Sequence, residues 1–260
     1  MLVFPQIVTG GSALYPVTRH YVQRTVVNAL GDGRTDVLAD PDAAMTAWEL
    51  RATGLMLAEW NAIEALFQAT SGMWQTFTFL DPTGNLLAQS ENFGAAAWTN
   101  GALIQLTPGI ADPLGTTRAT RVVNAGQTVE SVAQTLNVPG NFQYCFSVWA
   151  RSAVGSSVTL AVANVSTSVA LGPQWQRVFA AGNPSQATTT VSFSAQLPAG
   201  ASVDLFGAQA ETQLAPSDYK QTGVRGGVYS NARFASDQLT VTAQGTDVYD
   251  AVIRIVDTET

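Results

Sequence analysis

A mainly β protein, with one packed helix and a second antiparallel β-sandwich set into the first fold, is what three features of this 260-residue chain predict. Strand-length runs recur along most of it, separated by Gly and Pro turns. A single stretch switches to helical period. Between about residues 85 and 222 the texture changes to Ser, Thr, Ala and Val with no helical stripe, the pattern of a sandwich with its own core.

Residues 1–54 read as strands. In "RTVVNALGDGRTDVLA" (24–39) two apolar arms flank Gly31-Asp32-Gly33, a hairpin turn in which glycine supplies positive φ without a steric cost. "AAMTAWELRA" reads as a further strand. The period then changes in "LMLAEWNAIEALFQATSG", where Leu57, Trp60, Ile63 and Phe67, with Leu66 beside them, form one apolar stripe. That spacing predicts a helix of about four turns, stopped at Gly72. "MWQTFTFLDP" returns to period two, with Phe77 and Phe79 on one face and Pro82 ending the strand.

The middle region offers six strand-like runs: "QTVESVAQTLNV", "NFQYCFSVWARS", "SVTLAVANVS", "QWQRVFAAG", "TTTVSFSAQL" and "ASVDLFGAQAE", punctuated by "VPGN", "GPQ" and "LPAG". After it, "QLTVT" and "VYDAVIRIV" read as a hairpin turning at residues 244–246. An isolated hairpin is marginal in water and needs a sheet to join. The natural host is the sheet whose last N-terminal strand stops at Leu80. The expectation is one discontinuous domain, 1–84 with 223–260, interrupted by an inserted domain, 85–222. The seam falls near Gly84-Asn85 and again within 222–227. Loop tips accept such insertions because the ends of an inserted domain lie close together.

Composition narrows the partners. Charged residues make up 12% of the chain, about half the usual ~25%. The surface is therefore largely polar and uncharged, which suits permanent assembly with other subunits as well as a free monomer. A net charge of -7 argues against a grip on nucleic acid, which needs a basic face. Lys220 is the one lysine. Cys145 has no second cysteine to pair with and sits in an apolar run, so it reads as a buried thiol. The chain opens with no signal peptide and holds no run of ~18 apolar residues. The expectation is synthesis in a bacterial cytoplasm, no membrane insertion, and exit by a route other than an export signal, such as on a released particle.

Chemistry is sparse. Every His-based triad or metal site would depend on His20, which lies in "VTRHYVQRT" without a partner pattern. No HExxH, P-loop or dinucleotide-binding glycine pattern occurs. "DGRTD" (32–36) covers part of a calcium loop but lacks its closing Glu. The acidic pairs Glu49 with Glu59 and Asp204 with Glu211 could serve a glycosidase only if they converged at ~5–10 Å. The reading is no catalytic residue, no metal and no cofactor. Of the six tryptophans, Trp149 and Trp175 sit in strands and read as core. Trp98 precedes the first clear strand and is the candidate to stack on a sugar ring.

Two resemblances add to this. "NLLAQSENFGAAAWT", "YCFSVWARS", "QWQRVFA" and "VDLFGAQAETQLAPSDYKQTG" resemble the carbohydrate-binding-module-like jelly rolls of phage tail and tail-fibre proteins. Ala210 stands where those modules more usually carry a larger apolar residue. The resemblance implies a jelly roll but carries over no sugar site. The flanking parts, through "FPQIVTG", "AEWNAIEALFQATSGMWQTFTFLDP" and "VRGGVYSNARFASDQLTVTAQGTDVYDAVIRI", resemble phage distal tail proteins and their relatives in gene transfer agents. That likeness implies a tail-tube-like β-sandwich with one packed helix, assembled as a ring, usually hexameric, in the tail tip of a virion. Its expected partners are copies of itself, the tail tube protein, the tail hub or tip proteins, and a host surface polysaccharide. The alternative is a glycan-binding adhesion module of a minor tail protein without a tube-continuing role. A third class, a glycan-cleaving enzyme, would require two converging carboxylates.

Overall fold

The computed structural model of the chain describes residues 1–258, the side chains of residues 41, 42 and 258 excepted. The last two residues of the expected 223–260 segment lie outside the described residues. The chain opens with β1 (Val17–Ala29), β2 (Thr35–Met56), α1 (Leu57–Ala69) and β3 (Phe77–Leu80). Ten strands follow: β4 (Thr99–Asn100), β5 (Ile104–Ile110), β6 (Ala119–Asn124), β7 (Glu130–Leu136), β8 (Tyr144–Arg151), β9 (Ser156–Val162), β10 (Val165–Leu171), β11 (Gln176–Gly182), β12 (Val191–Leu197) and β13 (Ser202–Glu211). It closes with β14 (Val228–Phe234), β15 (Val241–Gly245) and β16 (Val248–Thr258). Two compact units result. One holds Met1–Ile7, Ala13–Phe79 and the chain from Tyr229 on; the other holds Val8–Ser12 and Leu80–Val228.

The first unit is a six-stranded sheet in the order β1-β2-β16-β14-β3, with β15 also paired to β16. "AAMTAWELRA" is not a separate strand but the middle of β2, which runs unbroken for 22 residues. The β1–β2 turn is closed by Gly33 N–H donating to the Leu30 carbonyl at 3.0 Å, with Gly33 at φ +83°. Helix α1 buries Trp60, Ile63 and Leu66, three positions on one stripe. They meet Trp48, Leu50, Phe77, Phe79, Phe234 and Ile255 in a shared core. The helix ends where Ser71 and Gly72 turn left-handed, at φ 50° and 67°. Among the described residues, no helix is long and apolar enough to cross a membrane.

The second unit is an antiparallel jelly-roll β-sandwich of two five-stranded sheets, β10-β9-β12-β7-β4 and β11-β8-β13-β6-β5. Alternate residues of both sheets, among them Phe146, Val148, Leu160, Phe193, Val203 and Leu205, fill the space between them. "SVTLAVANVS" is two strands, not one: Ala163 takes φ 50° and the chain folds back so that Val165 pairs with Val162. β5 and β6 had no counterpart in the sequence reading. The Pro108–Gly109 bulge within β5 disguises that run as a loop.

The two ends of this unit are tied together. Asp81 N–H donates to the Gly227 carbonyl at 2.9 Å, and Gly227 N–H donates to the Asn85 carbonyl at 2.7 Å. Asn85, 1% exposed, uses its whole side chain there. Its Nδ2 donates to the carbonyls of Ala208 and Lys220, and its Oδ1 accepts from the N–H groups of Leu87 and Ala210. At Gly226 a Cβ would fall against the Leu86 carbonyl oxygen, so only glycine lets the strands approach this closely.

Candidate functional site

Strand β8 shows how the sandwich divides its side chains. Tyr144, Phe146, Val148 and Ala150 point into the core. Cys145, Ser147, Trp149 and Arg151 therefore point to the opposite face, because a strand has period two. β11 pairs with β8 so that Arg177 faces Trp149 and Phe179 faces Ser147. On the other side β13 sets Asp204 opposite Arg151 and Phe206 opposite Trp149. A bulge at Gly207, φ +65°, then resets the phase, so that Gln209 faces Ser147 and Glu211 faces Cys145. Without the bulge Gln209 and Glu211 would turn into the core.

One cross-strand row emerges from this register. Trp175, one residue ahead of β11 and opposite Arg151, lies beneath that guanidinium, whose carbon is 4.6 Å from the ring centroid. Arg151 Nε donates to Asp204 Oδ2 at 3.0 Å. Arg121, opposite Asp204 on β6, donates from Nε to Asp204 Oδ1 at 2.8 Å. Thr107 of β5 faces Arg121 and ends the row. Five side chains thus cross five strands, spanning four inter-strand steps of ~4.8 Å, or roughly 19 Å. The carboxylate of Asp204 is buried at 4% exposure, while Arg121 is 42% exposed. Asp204 fixes the two guanidinia and raises the pKa of Arg121 through their hydrogen bond. Trp149, half-buried, stands in the next row between Arg177 and Phe206.

Beyond that, a strap covers the face. Tyr219 packs on Phe206 at 5.4 Å between ring centroids. Lys220 Nζ meets Glu211 Oε1 at 2.9 Å. Burial works to raise the pKa of Glu211, but hydrogen bonds from Ser217, Gln209 and Lys220 outweigh it and leave the carboxyl below its usual value. Cys145 lies under this end and is buried; its thiol is pushed up to about 12 by burial, with Glu211 adding to the effect.

The sequence-derived candidates land unevenly. Trp98 is 6% exposed, packs on Phe93 at 5.0 Å and donates its Nε1 hydrogen to the Gln89 carbonyl. It is a core residue with no open ring face, so the stacking role expected of it fails. Trp149 and Trp175, read as core, instead lie half-buried on the outer face of the sheet. Alternation in "YCFSVWAR" carried the missed signal, since Trp149 is in phase with Arg151 and out of phase with Phe146. Asp204 and Glu211 share this face, but each is held by cations of its own. Glu49 is clamped by Arg51 and Arg254, and Glu59 accepts the Met56 N–H at the helix start. Asp32 closes a tight turn on Arg34 N–H rather than a metal loop. His20 is exposed on the edge strand β1.

The first unit has two features of its own. Through residues 21–40 the β1–β2 hairpin is exposed everywhere except at Val26 and Asp40. Its apolar residues include Tyr21, Val27 and Val37, at 71%, 61% and 59% exposure. A cleft of about 450 Å³ lies between β2, β16 and the chain after β14, lined by Arg51, Asp250, Arg254, Thr242 and Gln238. Its two guanidinia are both engaged by Glu49.

No protein-family model matches the chain, nor does any curated protein. Several solved structures resemble its fold. A xylan-binding domain from CBM 22 aligns with 20% identity and a TM-score of 0.41 over 50% of this chain and 96% of its own. TmCBM61 in complex with β-1,4-galactotriose aligns with 14% identity and a TM-score of 0.35 over 48% of this chain and 97% of its own. The enzymatically active domain of bacteriophage CBA120 tailspike protein 4 aligns with 11% identity and a TM-score of 0.39, over 51% of this chain but 22% of that one.

Proposed function

We propose that the chain is a non-catalytic structural subunit of a phage-like tail, with a β-sandwich that binds a host surface glycan. The observation that carries the glycan reading is the Trp175–Arg151–Asp204–Arg121–Thr107 row. Arg151 covers one face of Trp175, so a pyranose would set its apolar face against the exposed remainder of that indole, and guanidinia fixed by a carboxylate offer oriented donors along the row. Rigid positioning lowers the ordering cost of binding. The absence of a hydrolytic role is supported by the state of the two acids on this face. Asp204 is tied to two arginines and Glu211 to Lys220, so both carboxyl groups are engaged by neighbouring cations and not turned toward a substrate leaving group. Binding of the full-length protein to a glycan array, lost in Trp175→Ala and without release of reducing ends, is the expected result. An array with no bound glycan would sink this half of the proposal.

For the first unit the proposal is a closed ring, hexameric by the resemblance, joining the tail tube to the tail hub or tip of the virion. The hairpin arm of residues 21–40 supports it. A two-stranded ribbon open to water on both faces is marginal, and its apolar pairs Val26–Leu38 and Val27–Val37 gain burial only from another chain. A subunit with two different contact surfaces and a closing rotation makes a ring. Electron micrographs of the purified full-length protein should show a closed ring. A monomer at high concentration would favour the second reading, an adhesion module of a minor tail protein without a tube-continuing role.

A further inference from the structure

We infer that the glycan taken by the sandwich is acidic, bearing carboxylates along its length, and that Arg121 and Arg151 read that charge. The inference rests on the glycan-binding reading of this face and adds the substrate class to it.

The charge count within the row carries the inference. In the row, two guanidinia share one carboxylate, Asp204, which leaves a surplus of one positive charge. Asp204 takes Nε and Nη2 of Arg121 and Nε of Arg151. Arg151 Nη2 reaches the Ala111 carbonyl at 3.4 Å. The Nη1 group of each arginine meets no acceptor among the described residues. The other ions on the face are met locally. Arg118 faces Glu91 and Asp112, whose side chain is fully enclosed. Lys220 is paired with Glu211, while Arg177 donates to the Ser217 carbonyl and the Ser147 hydroxyl. The unspent donors of Arg151 therefore sit over the half-buried indole of Trp175, and those of Arg121 two strands further along the row.

A neutral sugar needs no such surplus of charge. A sugar carboxylate accepts two parallel N–H bonds from one guanidinium, a geometry lysine cannot supply. In a chain with a net charge of -7, an acidic polymer is repelled by most of the surface. A local cationic row would then set both where and in what register it docks. Asp204 acts as the positioning residue, holding both guanidinia across neighbouring strands.

The test compares polygalacturonate with the same polymer after carboxyl reduction, using the full-length protein in affinity electrophoresis or calorimetry, with alginate and hyaluronan as further acidic probes and xylan as a neutral one. The acidic forms should bind at least about tenfold more tightly than the reduced form, and added salt should narrow the gap. Arg121→Ala should cost about tenfold or more on acidic polymers and distinctly less on neutral ones, while Trp175→Ala weakens any glycan that binds. Equal binding of acidic and reduced polymers, or binding of xylan alone, overturns the acidic assignment and leaves glycan binding standing. Binding to none of these polymers and to nothing on the glycan array overturns both.

Discussion

The arm of the first unit and the outer face of the sandwich are both built from paired strands, yet they solve opposite problems. On the arm, Val27 and Val37 face each other in register and both face water. On the sandwich, Trp175, Arg151, Asp204 and Arg121 rest on a sheet whose other side is already a closed core. Their positions are set before anything binds. On the proposed reading, the arm is finished by a partner, whereas the row meets its ligand in its final geometry. On that reading binding costs differ: the arm's partner supplies its burial, while the row's ligand meets oriented groups.

The largest expected effect tests whether the row stands on a self-sufficient unit. Asn85 joins the start of the sandwich to its end through four hydrogen bonds. Asn85→Ala would strand two carbonyls and two N–H groups in a buried site, at about 3–5 kcal/mol. Chemical denaturation followed by tryptophan fluorescence should show that loss. A change under about 1 kcal/mol would mean that the ends are held by something other than this amide.

Much of the scaffold beneath the row was readable from sequence, and the row itself was not. Strands β7, β8, β11, β12 and β13 declare themselves by alternation, as does α1 by its stripe from Trp60 to Leu66. β9 and β10 merged into one run because the turn at Ala163-Asn164 uses no Gly or Pro. β6 escaped because Arg121 interrupts its apolar pattern, yet that arginine is a member of the row. Arg121, Arg151 and Asp204 meet only through strand register, across 83 residues of sequence. Trp98 misled for the complementary reason: a segment without regular structure can still be packed, and local pattern says nothing about that.

A smaller effect should follow from breaking the row itself. Asp204→Ala removes the only carboxylate between Arg121 and Arg151 and leaves two guanidinia side by side. The expected cost is about 1–3 kcal/mol, moderated by the exposure of the arginines. The measurable contrast with Asn85→Ala is that the melting curve stays cooperative while glycan binding weakens. A stability change without any change in glycan binding would remove Asp204 from its positioning role.

The pH response of the sandwich offers a third, milder probe. Burial works to raise the pKa of Asp112, but hydrogen bonds from the Thr116 hydroxyl and from the N–H groups of Arg118, Thr116 and Leu114 outweigh it and hold the pKa at about 2. A folded-state pKa below the unfolded one contributes stability that is full above about pH 4 and is lost as pH falls toward 2. Asp112→Asn should therefore be less stable than the wild type at pH 7, by about 2 kcal/mol, and the gap should close between pH 4 and pH 2. A gap that stays constant across that range would show that the loop is held by shape and not by the charge.

The smallest expected change in stability lies on the arm, and there the comparison is sharpest. Val27→Ser with Val37→Ser alters two side chains already in water. Folding of the isolated chain should shift by less than about 0.5 kcal/mol. Assembly should respond far more, because the same pair supplies apolar area that only a partner can cover. Thermal melts and analytical ultracentrifugation of the double variant separate the two: an unchanged melt with loss of the ring identifies the arm as an assembly element. An unchanged ring would place the ring contacts elsewhere on the first unit, and a large drop in melting temperature would mean that the arm is already packed within its own chain. Only the first outcome keeps the distinction between a surface completed by a partner and one complete before binding.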